Sequence, residues 1–222
     1  MSPRAPAGRS LLIIGCGGHA RVVGDVARQV GLEEQTFIDT TGKASTFQGQ
    51  PVGQHLPQNY SGLFFVAVGD NATRQTLYEH FLAANPGATA PALIHPSSVI
   101  GSECTIGPGS VVMPLCAVNA GSHVGTGVIV NTRASIDHDC SLLNFSSVAP
   151  GCVMAGQAKL GQRSALCLAS AVSHQIAIGD DVVVGAMSFV NRDLPDLCLA
   201  YGIPARRRRS RLRGEPYLQL AG

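Results

Sequence analysis

The stretch IHPSSVIGSECTIGPGSVV, residues 94–112, carries an aliphatic side chain at every sixth position: Ile94, Ile100, Ile106 and Val112. The step continues through Val118, Val124, Val130, Ile136, Leu142, Val148, Met154, Leu160, Leu166, Val172, Ile178 and Val184 to Val190, seventeen positions without an insertion or deletion. With 45 % of the chain hydrophobic, chance does not produce such a run, so the period is structural. Two residues before each aliphatic position lies a second set, nearly all small, from Ala92, Ser98 and Cys104 onward to Ser188. Side chains two apart on a strand share a face, so each hexad sends one aliphatic and one small residue inward. Gly follows the aliphatic residue at 101, 107, 125, 161, 179 and 185, where a tight turn with unusual backbone angles is expected.

The hexapeptide pattern resembles a left-handed parallel β-helix, in which three hexads make one triangular coil; the span 94–190 allows roughly five coils of about 18 residues. Composition agrees with a thin solenoid. The 222 residues include 26 Gly and 13 Pro, only 5 % are aromatic, 14 % are charged, and there is no Trp. Such a chain is folded rather than disordered, and it resembles neither a helical bundle nor an ordinary sandwich. No apolar run approaches the roughly 18 residues of a membrane span, and the polar start MSPRAPAGRS lacks a signal-peptide core, so a cytoplasmic location is expected. The seven cysteines form no C-x-x-C pair, and Cys104, Cys116, Cys140 and Cys152 belong to the small inward set. Packing explains them better than disulfides, and no metal site is expected.

Before the repeat the pattern changes. Leu11 to Ile14 reads as a strand, Gly15-Cys16-Gly17-Gly18-His19-Ala20 as a turn, and Arg21 to Val30 as a helix. Strand, Gly turn and helix present backbone N–H groups to phosphate. Further strands are expected at Thr36 to Asp39 and Leu63 to Val68, and a second helix at Ala72 to Ala84. The pattern Gly15-x-Gly17-x-x-Ala20 matches a dinucleotide fingerprint, with Asp39 placed to meet a ribose. Only about 90 residues precede the solenoid, however, enough for one mononucleotide half rather than two. The fold expected is therefore α/β plus all-β: a Rossmann-like βαβ domain over 11–92, then a left-handed β-helix over 93–200. A disordered N-terminus at 1–10 and a C-terminal segment at 201–222 with an Arg-rich tail complete the division.

Eight charged residues fall between Ile94 and Val190, and two of them, Asp137 and Asp139, bracket His138. A neutral imidazole takes a proton from an attacking amine or hydroxyl, and a neighbouring carboxylate orients it and raises its basicity. The triplet also reads as a solvated corner of the solenoid, and the residues alone leave the two readings level. Eighteen-residue stacking places Ala120, His138, Gly156, His174 and Arg192 in one column, so small residues flank His138.

Gly-x-Gly-Gly-His-Ala at 15–20, Val-Ala-Val-Gly-Asp-Asn at 66–71 with Arg74, Asn131-Thr132, His-Asp-Cys at 138–140 and Gly-x-Pro-Ala-Arg at 202–206 occur together in this order. The set resembles the PglD/NeuD-type sugar acyltransferases, hexapeptide-repeat enzymes that N-acetylate nucleotide-linked amino sugars or O-acetylate sialic acid. The resemblance implies an acetyl-CoA-dependent N-acetyltransferase, assembled as a homotrimer, acting on a nucleotide-linked aminodideoxy sugar for surface-glycan or glycoprotein biosynthesis. It makes His138 the catalytic base with Asp139 as partner, Asp137 being the fallback. It places the nucleotide sugar against Gly17, Gly18, His19, Asp39, Thr40, Gly69, Asp70, Asn71 and Arg74. Acetyl-CoA is carried onto Asn131, Ser147, Gly156, Leu168, Ala186 and Pro204. The alternatives are O-acetylation of sialic acid or a related sugar, and a non-catalytic binding or scaffold solenoid. The basic run from Arg206 to Arg213 has no aromatic interleaving and reads as a solvated tail rather than a nucleic-acid site.

Overall fold

A computed structural model describes residues 10–218, so of the expected disordered segment 1–10 all but Ser10 lies outside the described residues, as does the end of the C-terminal segment. The first third is an α/β unit of β1 (Leu11–Ile14), α1 (Gly18–Gln29), β2 (Gln35–Ile38), β3 (Thr46–Phe47), β4 (Gln50–Gly53), β5 (Leu63–Val66) and α2 (Asn71–Ala84). The sheet order is β3-β4-β2-β1-β5, with β1 between β2 and β5 and parallel to both. Both β1 and β5 are apolar and buried at every residue, as strands covered on two faces must be. Helix α1 begins at Gly18, three residues before the expected start, because Gly17 already takes the extended N-cap conformation. The hairpin of β3 and β4 was not expected from the sequence. Gln48 and Gly49 turn it with φ of 50° and 76°, the two positive angles a tight two-residue hairpin requires.

From Leu93 onward the chain winds as a left-handed solenoid of two-residue strands with three flat faces. The first face stacks Val99–Ile100, Ala117–Val118, Ser135–Ile136, Val153–Met154, Ala171–Val172 and Phe189–Val190. A second face runs from Thr105–Ile106 to Ala177–Ile178, and a third from Leu93–Ile94 to Val183–Val184. Register between coils is eighteen residues, and every sixth-position aliphatic residue from Val112 onward is buried. Ile94, Ile100 and Ile106 are only half-buried, because the first coil has nothing stacked beneath it. After Val190 the register slips. Ile178 bridges Leu194 and Val183 pairs with Leu199, sixteen residues on, so the column placing Arg192 above His174 does not continue.

The glycines after the aliphatic positions have a different cause from the one expected. None of those six has a positive φ; the left-handed angle falls three residues after each aliphatic position, at fifteen successive corners from Glu103 to Met187. Only four of these corners are Gly, at 109, 121, 127 and 151. What Gly101 and Gly107 avoid is collision, since a Cβ there would stand 2.5 Å from backbone atoms of Ala120 and Gly125 in the next coil. The small inward residues also do more than fill space. Hydroxyls of Ser98, Ser110, Ser122 and Ser164 donate to the backbone carbonyl fifteen residues on, at 2.6–2.7 Å. The thiols of Cys104, Cys116 and Cys152 do the same at 3.0 Å, so the inward set satisfies corner carbonyls that the strand ladder misses.

Beyond the last coil, Cys198–Gly202 and Ala205–Ser210 form an antiparallel hairpin that extends the third face. Arg207 to Arg209 and Arg213 are exposed, as a solvated run would be, but Arg206 to Arg209 are strand residues and Arg211 is buried, so the run is folded rather than a tail.

Candidate active site

His138 stands at a corner between the first and second faces. Adjacent residues on a strand point to opposite sides, but Asp139 has φ of 57°, and this bend brings its carboxylate beside the preceding imidazole. The Nδ1 to Oδ2 distance is 2.8 Å. Asp137 is used differently: its Oδ1 accepts the His138 backbone N–H at 2.8 Å and the Asn119 amide at 3.1 Å. Asp139 therefore orients the ring while Asp137 shapes the corner. With a carboxylate accepting from Nδ1, the neutral ring keeps its lone pair on Nε2. The hydrogen bond to Asp139 also raises the His138 pKa above its ordinary value, and the side chain is exposed.

Two glycines on neighbouring coils make room for this pair. A Cβ on Gly156 would lie 2.5 Å from His138 Nε2, and one on Gly121 would overlap Asp139 Oδ1. Gly156 is thus a neighbour of the imidazole, away from the cavity described next.

A cavity of about 550 Å³ opens where α1 and the loop after β5 meet the third face. Gly18, His19 and Gly69 line it from the α/β unit, and Asn131, Ser147, Leu168 and Ala186 from the solenoid. The structure so brings together residues expected at both co-substrate sites. The α1 N-terminus has no side-chain cap, and such an end attracts an anion. Gly17 is that N-cap, and Gly15, with φ of 114°, carries the turn before it against the Ala67 carbonyl. Burial, with the Arg74 guanidinium adding to it, lowers the His19 pKa to about 4, so this ring is neutral near pH 7. Its Nε2 is buried without a hydrogen-bond partner.

Several expected substrate contacts lie elsewhere. Arg74 is fully buried between the two parts of the molecule, its Nε on Gly127 O, Nη1 on Val68 O and Gly69 O, and Nη2 on Asn71 Oδ1 and Phe145 O. All five donors are committed, so Arg74 holds the Gly69 loop in place and has none left for a ligand. Asn71 is buried as well, donating to Arg163 O and Ser164 O. The Asp39 carboxylate closes its own loop by accepting from Thr41 and Ala44, which leaves exposed Thr40 beside it in the turn. Asp70 caps α2 through Thr73. Pro204 sits exposed in the terminal hairpin turn, away from the cavity. Tyr217 and Leu218, which no motif or spacing marks out, also line the cavity. Among the described residues no three His, Cys, Asp or Glu side chains are grouped to hold a metal ion, and no helix is long and apolar enough to cross a membrane.

A hexapeptide solenoid bearing an exposed histidine and carboxylate pair, joined to a phosphate-turn α/β unit, defines a left-handed β-helix acyltransferase. Residues 10–81 match the family model for the PglD N-terminal domain. The acetyltransferase domain of PglB from Neisseria gonorrhoeae shares 33 % identity with a TM-score of 0.84, over 90 % of this chain and 100 % of that one. PerB from Caulobacter crescentus, solved with CoA and GDP-perosamine, shares 36 % with a TM-score of 0.85, over 91 % and 99 %. WeeI from Acinetobacter baumannii, at 19 % identity and a TM-score of 0.66, shares the fold. The chain belongs to the PglD/NeuD-type family of sugar acyltransferases.

Proposed function

We propose that this protein transfers acetyl from acetyl-CoA to the amino group of a nucleotide-linked aminodideoxy sugar, with His138 as general base. The observation that carries this is the bond of Asp139 to His138 Nδ1, which leaves Nε2 basic at an exposed corner. The amine nitrogen forms a bond to the thioester carbonyl carbon and the carbon–sulfur bond breaks. His138 Nε2 takes the amine proton and passes it to the departing sulfur. Solved relatives that bind CoA, acetyl-CoA or GDP-perosamine support this choice of co-substrates. The uncapped α1 N-terminus suits the diphosphate, and the apolar solenoid wall at Leu168 and Ala186 suits the pantetheine arm.

Within one chain, His138 and the cavity occupy different corners, with the first face between them. That face is apolar on its outside, Val99 being 64 % and Val153 45 % exposed. A homotrimer that covers it would bring the cavity of one copy to His138 of the next. All seven cysteines are free thiols, which suits the cytoplasm, where acetyl-CoA and nucleotide sugars serve surface-glycan synthesis. The test is His138→Ala assayed with GDP-, UDP- and dTDP-linked aminodideoxy sugars. A fall in kcat of about 10² or more is expected, while near-normal turnover by a folded variant rejects His138 as the base.

A further inference from the structure

After the terminal hairpin the chain returns to the cavity. Residues 211–218 form a strap fastened to a buried ion pair, in which Asp181 accepts from Arg163 Nε at 2.8 Å and Nη2 at 2.5 Å. Gly214 N–H donates to the same carboxylate at 3.0 Å, and buried Arg211 donates to the Asp181 carbonyl at 3.3 Å. Glu215 tightens the bend, accepting from Arg209 at 2.6 Å and from Leu212 N–H at 2.9 Å. From these anchors the strap delivers its last described residues to the junction of the α/β unit and the solenoid. Tyr217 N–H reaches Asp70 Oδ2 at 3.3 Å, and its phenolic oxygen lies 2.8 Å from Ser147 Oγ and 3.3 Å from Gly69 O. Leu218 packs where a methyl on Gly69 would stand, 2.9 Å from its Cδ1.

We infer that the strap is a third wall of the substrate cavity and that Tyr217 binds the aminodideoxy sugar ring. This rests on the functional reading above. The residues Tyr217 touches belong to both halves of the site: Gly69 and Asp70 on the nucleotide side, Ser147 on the acyl side. Its place is therefore between the two co-substrates, where the sugar must lie for its amine to meet the thioester. The strap is a wall and not a plug, because about 550 Å³ remains open beside it, within the usual range of about 300–1,000 Å³ for small-molecule sites. Among the described residues that line this space, Tyr217 alone is a Phe, Tyr or Trp; the others are aliphatic, small or polar, with His19 adding an imidazole. The phenolic oxygen is already engaged by Ser147 and Gly69, so the ring itself is what Tyr217 offers a ligand. Burial pushes its pKa up and keeps the phenol neutral. An apolar ring complements the C–H-rich face of a dideoxy sugar, which has exchanged hydroxyls for hydrogen.

The test measures steady-state kinetics on the full chain with whichever of the GDP-, UDP- or dTDP-linked aminodideoxy sugars the wild type acetylates, together with the Kd of the matching free nucleoside diphosphate. Tyr217→Ala is expected to raise KM for the nucleotide sugar by about five- to tenfold. The KM for acetyl-CoA and the Kd of the free nucleoside diphosphate should each stay within about twofold. Tyr217→Phe keeps the ring and should restore the sugar KM to within about twofold of wild type. An unchanged or lower sugar KM in Tyr217→Ala overturns the inference. So does an equal loss of nucleoside diphosphate affinity, which would move the contact off the sugar, or a Phe variant as impaired as Ala. If the wild type acetylates none of the panel, the functional reading itself fails and this inference falls with it.

Discussion

His138 and His174 stand two coils apart at the same corner of the solenoid, each exposed and each followed by a residue with left-handed φ, 57° at Asp139 and 60° at Gln175. Backbone and exposure are alike; the neighbours differ. His138 lies between two carboxylates, one of which holds its Nδ1 at 2.8 Å, whereas His174 has Ser173 Oγ at 3.4 Å and a Gln175 that bonds Gln157 instead. The next coil differs too, since Gly156 clears the space beside His138 Nε2 while the register above His174 has slipped. A repeat supplies many equivalent corners, and a carboxylate beside the imidazole and a missing Cβ above it set the His138 corner apart from the others.

Substitutions at these two corners can break that contrast. Asp139→Asn should cost the most after His138 itself, about tenfold or more in kcat. It should also move the pH profile. A base works only when unprotonated, so activity falls as pH drops through the His138 pKa, which the Asp139 bond holds above its ordinary value. Losing that bond should shift the acid limb of kcat to lower pH, and a limb that stays in place would remove Asp139 from its role. Gly156→Ala should displace the imidazole and lower kcat by about fivefold with KM for acetyl-CoA little changed; steady-state kinetics decide it, and an unaltered kcat would show that the ring tolerates the added methyl. His174→Ala should leave kcat and both KM values within about twofold. Giving His174 carboxylates through Ser173→Asp and Gln175→Asp should not restore turnover in a His138→Ala background.

The solenoid was legible because its period is set by a physical constraint repeated at every hexad, one aliphatic and one small residue inward. Its corners were misread because a left-handed φ leaves no mark when Leu115, Phe145 or Met187 adopts it. The His138 triplet stood out as charge in an uncharged repeat, but the reach of Asp139 to the ring depended on that hidden bend. Asn71 and Arg74 matched a motif, yet a motif records which residues are present and not where they point; here they face the solenoid. Tyr217 had no signal at all, since its contacts with Gly69 and Ser147 span most of the chain.

The buried guanidinium of Arg74 bears on how the molecule comes apart. Its acceptors belong to the loop after β5, to α2 and to two coils of the solenoid, so separating the α/β unit would break hydrogen bonds from one side chain to both parts of the molecule at once. The α/β unit is therefore thermodynamically coupled to the solenoid, and heating should give one cooperative transition for both rather than early melting of the smaller part.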